Sequence, residues 1–156
     1  MSEIILNPAK SVALTGHRKV DNTLDINELK NVFLRLIEVG YQNFLIGMAV
    51  GFDTIAFNIL EEIRKEKDIK LIACIPCPEQ SKYFDYNQKK EYDRMLASAD
   101  VKVILSPNYK KHCMIKRNRY MVDSASILVA YVREKRGGSY QTKSYAIKSG
   151  VRVIDV

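Results

Sequence analysis

Gly137 and Gly138 lie just beyond the apolar run SILVAYV (126–132), with Arg133, Lys135, Arg136 and Lys143 around them. Glycines at such a junction let the backbone come close to a ligand and leave N–H groups at the start of a helix exposed. No acidic residue occurs from Lys135 to Ile154, so this end is electrostatically open to phosphate. Ser139 and Thr142 can add hydroxyl donors. A surface turn among solvated lysines is the alternative reading.

Three more segments carry residues capable of chemistry. In TGHR, Thr15 and Gly16 form a tight turn that projects His17 and Arg18. His17 could contact a base or sugar or move a proton, or be merely solvated. Arg18, always charged and two-pronged, suits an anion. In GMAVGFD, Gly47 and Gly51 bracket a strand-to-helix junction and Asp53 places a carboxylate near a helix start. Such a carboxylate can accept bonds from ribose hydroxyls or simply cap the helix. Further on, Met114, Arg117, Met121 and Ser124 recur at helical spacing, so Arg117 either reaches a cavity or lays its stem on the core with its head in water. EQSKYFDYNQKKEY, rich in tyrosine, could form a lid with a ring stacked on a base, or a packed surface loop.

Cys74, Cys77 and Cys113 are too few and of the wrong number for a disulfide framework. Cys74 and Cys77 form a C-x-x-C with Pro76 inside it, and a zinc site would still need two more ligands. Small buried residues explain the cysteines better, and neither a metal nor a resident cofactor is expected. The net charge of +7, from 25 Lys and Arg against 18 Asp and Glu, favours an anionic partner.

These segments are positioned by an alternation of short apolar runs and amphipathic stretches. Strands are expected at 11–15, 44–48, 70–76, 101–105, 126–132 and in the closing VRVIDV. Helices are expected at about 26–39, from the GMAVGFD turn through Ile63, and near 87–98, 112–124 and 139–149. Asp25 and Glu28 have capping-box spacing, and Gly40 fits a helix end. Strands apolar throughout and separated by helices imply a parallel sheet covered on both faces. The expected fold is α/β: a doubly wound, mainly parallel, Rossmann-like sheet of about six strands, as one domain over 1–156. In such a sheet ligands bind beyond the carboxyl ends of the strands, where the glycine pair, TGHR and GMAVGFD all fall. The absence of any apolar run near ~18 residues argues against a membrane helix. With no signal-peptide pattern at the start, a cytoplasmic location is expected.

The order TGHR, GMAVGFD, Gln80 with its aromatic stretch, RNRYMVDSASILVAYV and GGSYQT resembles the SLOG superfamily. That group takes in LOG-type phosphoribohydrolases and DprA-like proteins, and the chain is most similar to its small YpsA-like branch. LOG-type enzymes carry an M-x-x-R-K-x-x-M helix; Met114, Arg117 and Met121 match it, with Asn118 in place of the lysine. Their P-G-G-x-G-T-x-x-E segment is matched by Gly137 and Gly138, but Arg136 replaces the proline, the later glycine is missing, and no glutamate follows. The resemblance implies that phosphate binding is retained while the hydrolytic carboxylate is lost. Cleaving an N-glycosidic bond passes through an oxocarbenium-like state that a placed carboxylate stabilises. Binding of a nucleotide or nucleotide-derived molecule, for sensing or sequestering, therefore ranks first. A nucleotide N-glycosidase using Arg117 and Asp53 ranks second and a nucleic-acid binder third. The resemblance also raises the expectation of a homodimer.

Overall fold

The structure, a computed structural model, describes residues 6–156; the opening residues on which the signal-peptide reading rests lie outside that range. Six parallel strands form one sheet: β1 (Ser11–Gly16), β2 (Asn43–Ile46), β3 (Lys70–Ile75), β4 (Val101–Ile104), β5 (Ile127–Tyr131) and β6 (Arg152–Asp155). Their order across the sheet is β4-β3-β2-β1-β5-β6. The helices between them are α1 (Ile26–Glu38), α2 (Phe52–Arg64), α3 (Tyr86–Ser98), α4 (Cys113–Asp123) and α5 (Gly138–Lys148). The Rossmann-like α/β class expected from the sequence is the one observed, and each element lies within a few residues of its expected bounds.

Strand period sorts the core into two layers, because successive side chains face opposite sides of a sheet. Val12, Leu14, Phe44, Ile46, Leu71, Ala73, Val129 and Tyr131 pack under α1, α2 and α3. Ala13, Leu45, Ile72, Cys74, Leu128 and Ala130 pack under α4 and α5, along with Met121 and Ala146. Burying apolar surface on both faces is what makes strands with no polar alternation stable here, at roughly 25 cal/mol per Å².

The chain winds outward from β1 through β2 and β3 to β4, then returns to place β5 and β6 on the other side of β1. Connections above β1 and β5 thus depart in opposite directions, leaving the crevice where open α/β sheets bind ligands. How the helices begin sharpens this. Asp25 caps α1 by accepting from the Glu28 amide, and Asp85 with Gln88 makes a complete capping box on α3. By contrast α2, α4 and α5, whose first turns surround the crevice, start without any side-chain cap bond. The first amides of α2 and α4 donate to the carbonyls of His17 and Lys110, whereas the opening amides of α5 have no such partner among the described residues.

Candidate functional site

The crevice is a cavity of about 450 Å³. Thr15, Gly16, His17 and Arg18 line it from the end of β1, Gly47 and Ala49 from the β2 loop, and Asp53 from α2. Helix α4 contributes Met114, Arg117 and Asn118, and the turn after β5 contributes Glu134, Arg136, Gly137, Gly138 and Ser139.

Glycine is required at two points of this wall. A Cβ on Gly16 would run into the ring of Phe52, and one on Gly51 into the backbone carbonyl of Arg18. Gly51 also has φ of +86°, a region L side chains rarely enter. It is the cap position of α2 and stands behind the cavity wall rather than in it. Gly137 and Gly138 face open space: a Cβ on either would meet no atom within 4 Å. They start α5, a helix with no acidic residue in its first turn, so anion-seeking amides meet the solvent of the cavity.

Asp53 does not cap its own helix. Its Oδ2 instead accepts from the Ala49 amide at 3.1 Å, back in the β2 loop. Its Oδ1 is buried and has no hydrogen-bond partner among the described residues. Burial pushes the carboxyl up to about 6, against the pull of Arg117 and the Ala49 amide. Arg117 is itself only 6% exposed. Its Nη1 donates to the carbonyl of Gly47 and, at 3.1 Å, to that of Cys74, while Nε donates to Asn118 Oδ1 at 2.8 Å. Burial lowers its affinity for the proton, and Asp53 restores part of it; a guanidinium stays charged under such conditions. Thus Arg117 reaches inward, closing the ends of β2 and β3.

His17 is engaged on both ring nitrogens. Nε2 accepts from the Arg133 amide at 2.7 Å, and Nδ1 lies 3.0 Å from Ser139 Oγ. A ring that accepts at Nε2 carries its proton on Nδ1 when neutral, so Nδ1 donates to the serine. The histidine therefore ties the β1 turn to the start of α5. Of the cations expected around the glycine pair, Arg136 lines the cavity, where its Nε donates to Glu134 at 3.4 Å on an exposed surface. Arg133 turns away to Thr23 and the Val156 carbonyl, and Lys143 pairs with Asp155 at 2.8 Å. Arg18 supplies the charge they do not.

The sequence pattern of the YspA SLOG family matches residues 12–151. The chain belongs to that family. The Bacillus subtilis protein described as uncharacterized SPbeta prophage-derived protein YoqJ is 31% identical to it over a match spanning 78% of this chain and 82% of YoqJ. The B. subtilis UPF0398 protein YpsA is 27% identical, over 70% of this chain and 63% of YpsA. Among solved structures, the fold is shared with DNA processing protein A (DprA) of Streptococcus pneumoniae, with a TM-score of 0.68 at 19% identity, covering 94% of this chain and 50% of DprA. The Helicobacter pylori DprA, described for its single-stranded DNA binding mode, gives 0.66 at 19%, covering 96% of this chain and 65% of that one. This YspA SLOG chain therefore spans half to two thirds of the DprA chains it resembles.

Of the residues singled out in the sequence, Thr15, Gly16, His17, Arg18, Gly47, Asp53, Arg117, Gly137, Gly138 and Ser139 share the one cavity. Thr142 stays outside it, its hydroxyl donating at 2.8 Å to the Gly138 carbonyl within α5. The aromatic lid is not formed. Tyr83 and Tyr86 point to solvent, Phe84 packs edge-on to Tyr92, and buried Gln80 donates to the Gly47 carbonyl and accepts from the Tyr92 hydroxyl, behind the wall. Glu134 is the ionisable lining residue that sequence reasoning missed; its place in the short turn between β5 and the glycine pair was the available signal. All three cysteines are buried and unpaired by disulfide, and burial pushes Cys74 up to about 12 and Cys77 up to about 11. Thiols so held stay protonated and are poor nucleophiles or metal ligands. No described helix is long and apolar enough to cross a membrane.

Proposed function

We propose that this chain binds a nucleotide or a nucleotide-derived small molecule in the cavity, acting as a sensor or a sequestering protein. One pairing carries the reading. The uncapped start of α5 at Gly137 and Gly138 lines the same cavity as Asp53, whose buried Oδ1 has no hydrogen-bond partner among the described residues. Amides and the cations Arg18 and Arg136 suit a phosphate. A buried carboxylate oxygen suits a hydroxyl donor such as ribose supplies, since an unmet acceptor there costs about 1–3 kcal/mol. The test is thermal shift against AMP, GMP, CMP, UMP and their deoxy forms. A ribonucleotide should raise Tm, and Gly138→Asp, which sets a carboxylate against the same amides in open space, should abolish the rise without unfolding the chain. No shift with any nucleotide would reject the reading.

A hydrolytic reading has one observation in its favour: two carboxylates, Asp53 and Glu134, line the cavity although α5 carries no glutamate. Asp53 ionised above about pH 6 could stabilise a ribosyl cation while Glu134 takes a proton from water. Prolonged incubation with nucleoside monophosphates would release free base, and Asp53→Asn or Arg117→Ala would stop it. Intact nucleotides at high protein concentration exclude this.

Single-stranded nucleic acid is the third reading, supported by the +7 charge and by the ligand in the description of the Helicobacter neighbour. It requires affinity that falls steeply with salt. Mononucleotide binding that persists in a large excess of single-stranded DNA would separate the two sites.

A further inference from the structure

A second cavity, of about 440 Å³, runs between α4 and α5, and Asn118 and Gly138 line both it and the first. Building on the nucleotide reading above, we infer that the natural ligand is a dinucleotide, two nucleosides bridged by phosphate, with its second nucleoside in this α4–α5 groove.

The anchoring amides sit at the border of the two cavities rather than at the far end of either. A phosphate held at Gly138 can therefore carry a nucleoside into each. Each volume falls within the range of small-molecule sites, and the two together approach its upper end of ~1,000 Å³. The border also holds a fixed donor. Asn118 Oδ1 accepts from Arg117 Nε at 2.8 Å, which turns the amide nitrogen the other way, and that nitrogen has no partner among the described residues.

The second groove has its own chemistry. No carboxylate lines it; Tyr140, Tyr145, Arg119 and Lys148 do. Arg119 lies 5.2 Å from the centre of the Tyr145 ring, and the Tyr145 hydroxyl donates to Asp123 Oδ1 at 2.7 Å. The guanidinium therefore lies over one face of the ring, and the bond to Asp123 fixes the ring's far end. Tyr140 is half-buried in the same groove, and no aromatic or cationic group covers it among the described residues. Aromatic rings and a guanidinium plane are what a base stacks on, irrespective of sequence. The first cavity, with its carboxylates, holds the ribose hydroxyls of the first nucleoside and the bridging phosphate at its border; the second groove, with its rings, takes the base of the second nucleoside.

Calorimetric titration decides this, with AMP and GMP compared to their pyrophosphate-bridged dimers and to pApA and pGpG. Stacking of one more base should make a bridged ligand about tenfold or more tighter than its mononucleotide. Tyr140→Ala and, separately, the surface change Lys148→Glu should remove that advantage and leave mononucleotide affinity as it was. A gain confined to the pyrophosphate-bridged dimers identifies a free dinucleotide, and one confined to pApA or pGpG an oligonucleotide step; either supports the inference. Mononucleotide binding with no tighter binding of any bridged ligand overturns it while leaving the nucleotide reading intact. An advantage that survives both variants also overturns it. Failure of every probe to bind overturns both.

Discussion

The guanidinium of Arg117 occupies the space that a side chain at position 47 would need. A Cβ placed on Gly47 stands 2.9 Å from its Cζ and 3.0 Å from its Nη1. The same Nη1 donates to the Gly47 carbonyl, so a strand end and a helix eleven residues long are locked through one glycine and one arginine.

The first prediction concerns Gly47→Ala. The clash is with the far end of a flexible side chain, so the fold survives at a cost of roughly 1–3 kcal/mol. Arg117 must leave its carbonyls, however, and the cavity loses its shape. Urea unfolding should show the modest destabilisation, and the ligand-induced rise in Tm should vanish.

Arg117→Met is expected to be harsher. It leaves the Cys74 carbonyl without this donor and Asp53 buried without its counter-charge. Deleting a charged donor from buried acceptors costs about 1.5–3 kcal/mol for each hydrogen bond lost. Because Arg117 holds the Asp53 carboxyl down, the variant should also move the Asp53 titration above its present value of about 6, followed by carbon-detected NMR of that carboxyl.

Asp53 predicts a pH dependence whose sign can be worked out. Its carboxyl titrates near 3.8 when unfolded and about 6 when folded. Between those values the folded chain binds more protons than the unfolded chain, so stability falls as pH rises from about 4 to 6 and is level above. The full loss is roughly 3 kcal/mol. Asp53→Asn should lack this slope and melt higher than the natural chain at neutral pH. It should also bind nucleotide more weakly, because an amide offers a poorer acceptor than a carboxylate. A natural chain and variant with parallel stability–pH curves would remove Asp53 from this role.

His17→Phe keeps a ring against Tyr131, which His17 meets edge-on at 5.7 Å, and deletes both nitrogen bonds. The start of α5 is then no longer tied to the β1 turn. Amide hydrogen exchange at Gly138 and Ser139 should quicken, while the sheet core stays protected. Nucleotide affinity should fall about tenfold, the scale of one hydrogen bond to a charged site.

Much of this molecule was readable from its residues. Runs such as ILVAY and LIACI admit a buried parallel strand and little else, and the stripe Leu29, Phe33, Leu36 admits a helix against a sheet. Where the helices start was harder. Asp25 caps α1 as its spacing suggested, yet Asp53, equally suited by type, does not cap α2. Gly51, at positive φ, takes the cap position and leaves the carboxylate just inside the helix, aimed back at the Ala49 amide. Arg119 and Asp123, four apart on α4 and spaced as an ion pair, are joined through Tyr145 of the neighbouring helix.

The amino-acid order alone determined the alternation of strand and helix, and with it that TGHR, GMAVGFD and the glycine pair all emerge at the same edge of the sheet. Those are consequences of local period and of the handedness of crossovers, which neighbours in the chain dictate. Only the tertiary structure decided which of the charges face the cavity, that Arg133 and Lys143 turn away, and that Asp53 keeps one oxygen buried and unmet. Burial and partner choice are sums over groups brought together from β1, β2, α2, α4 and β5, and no stretch of sequence contains that sum.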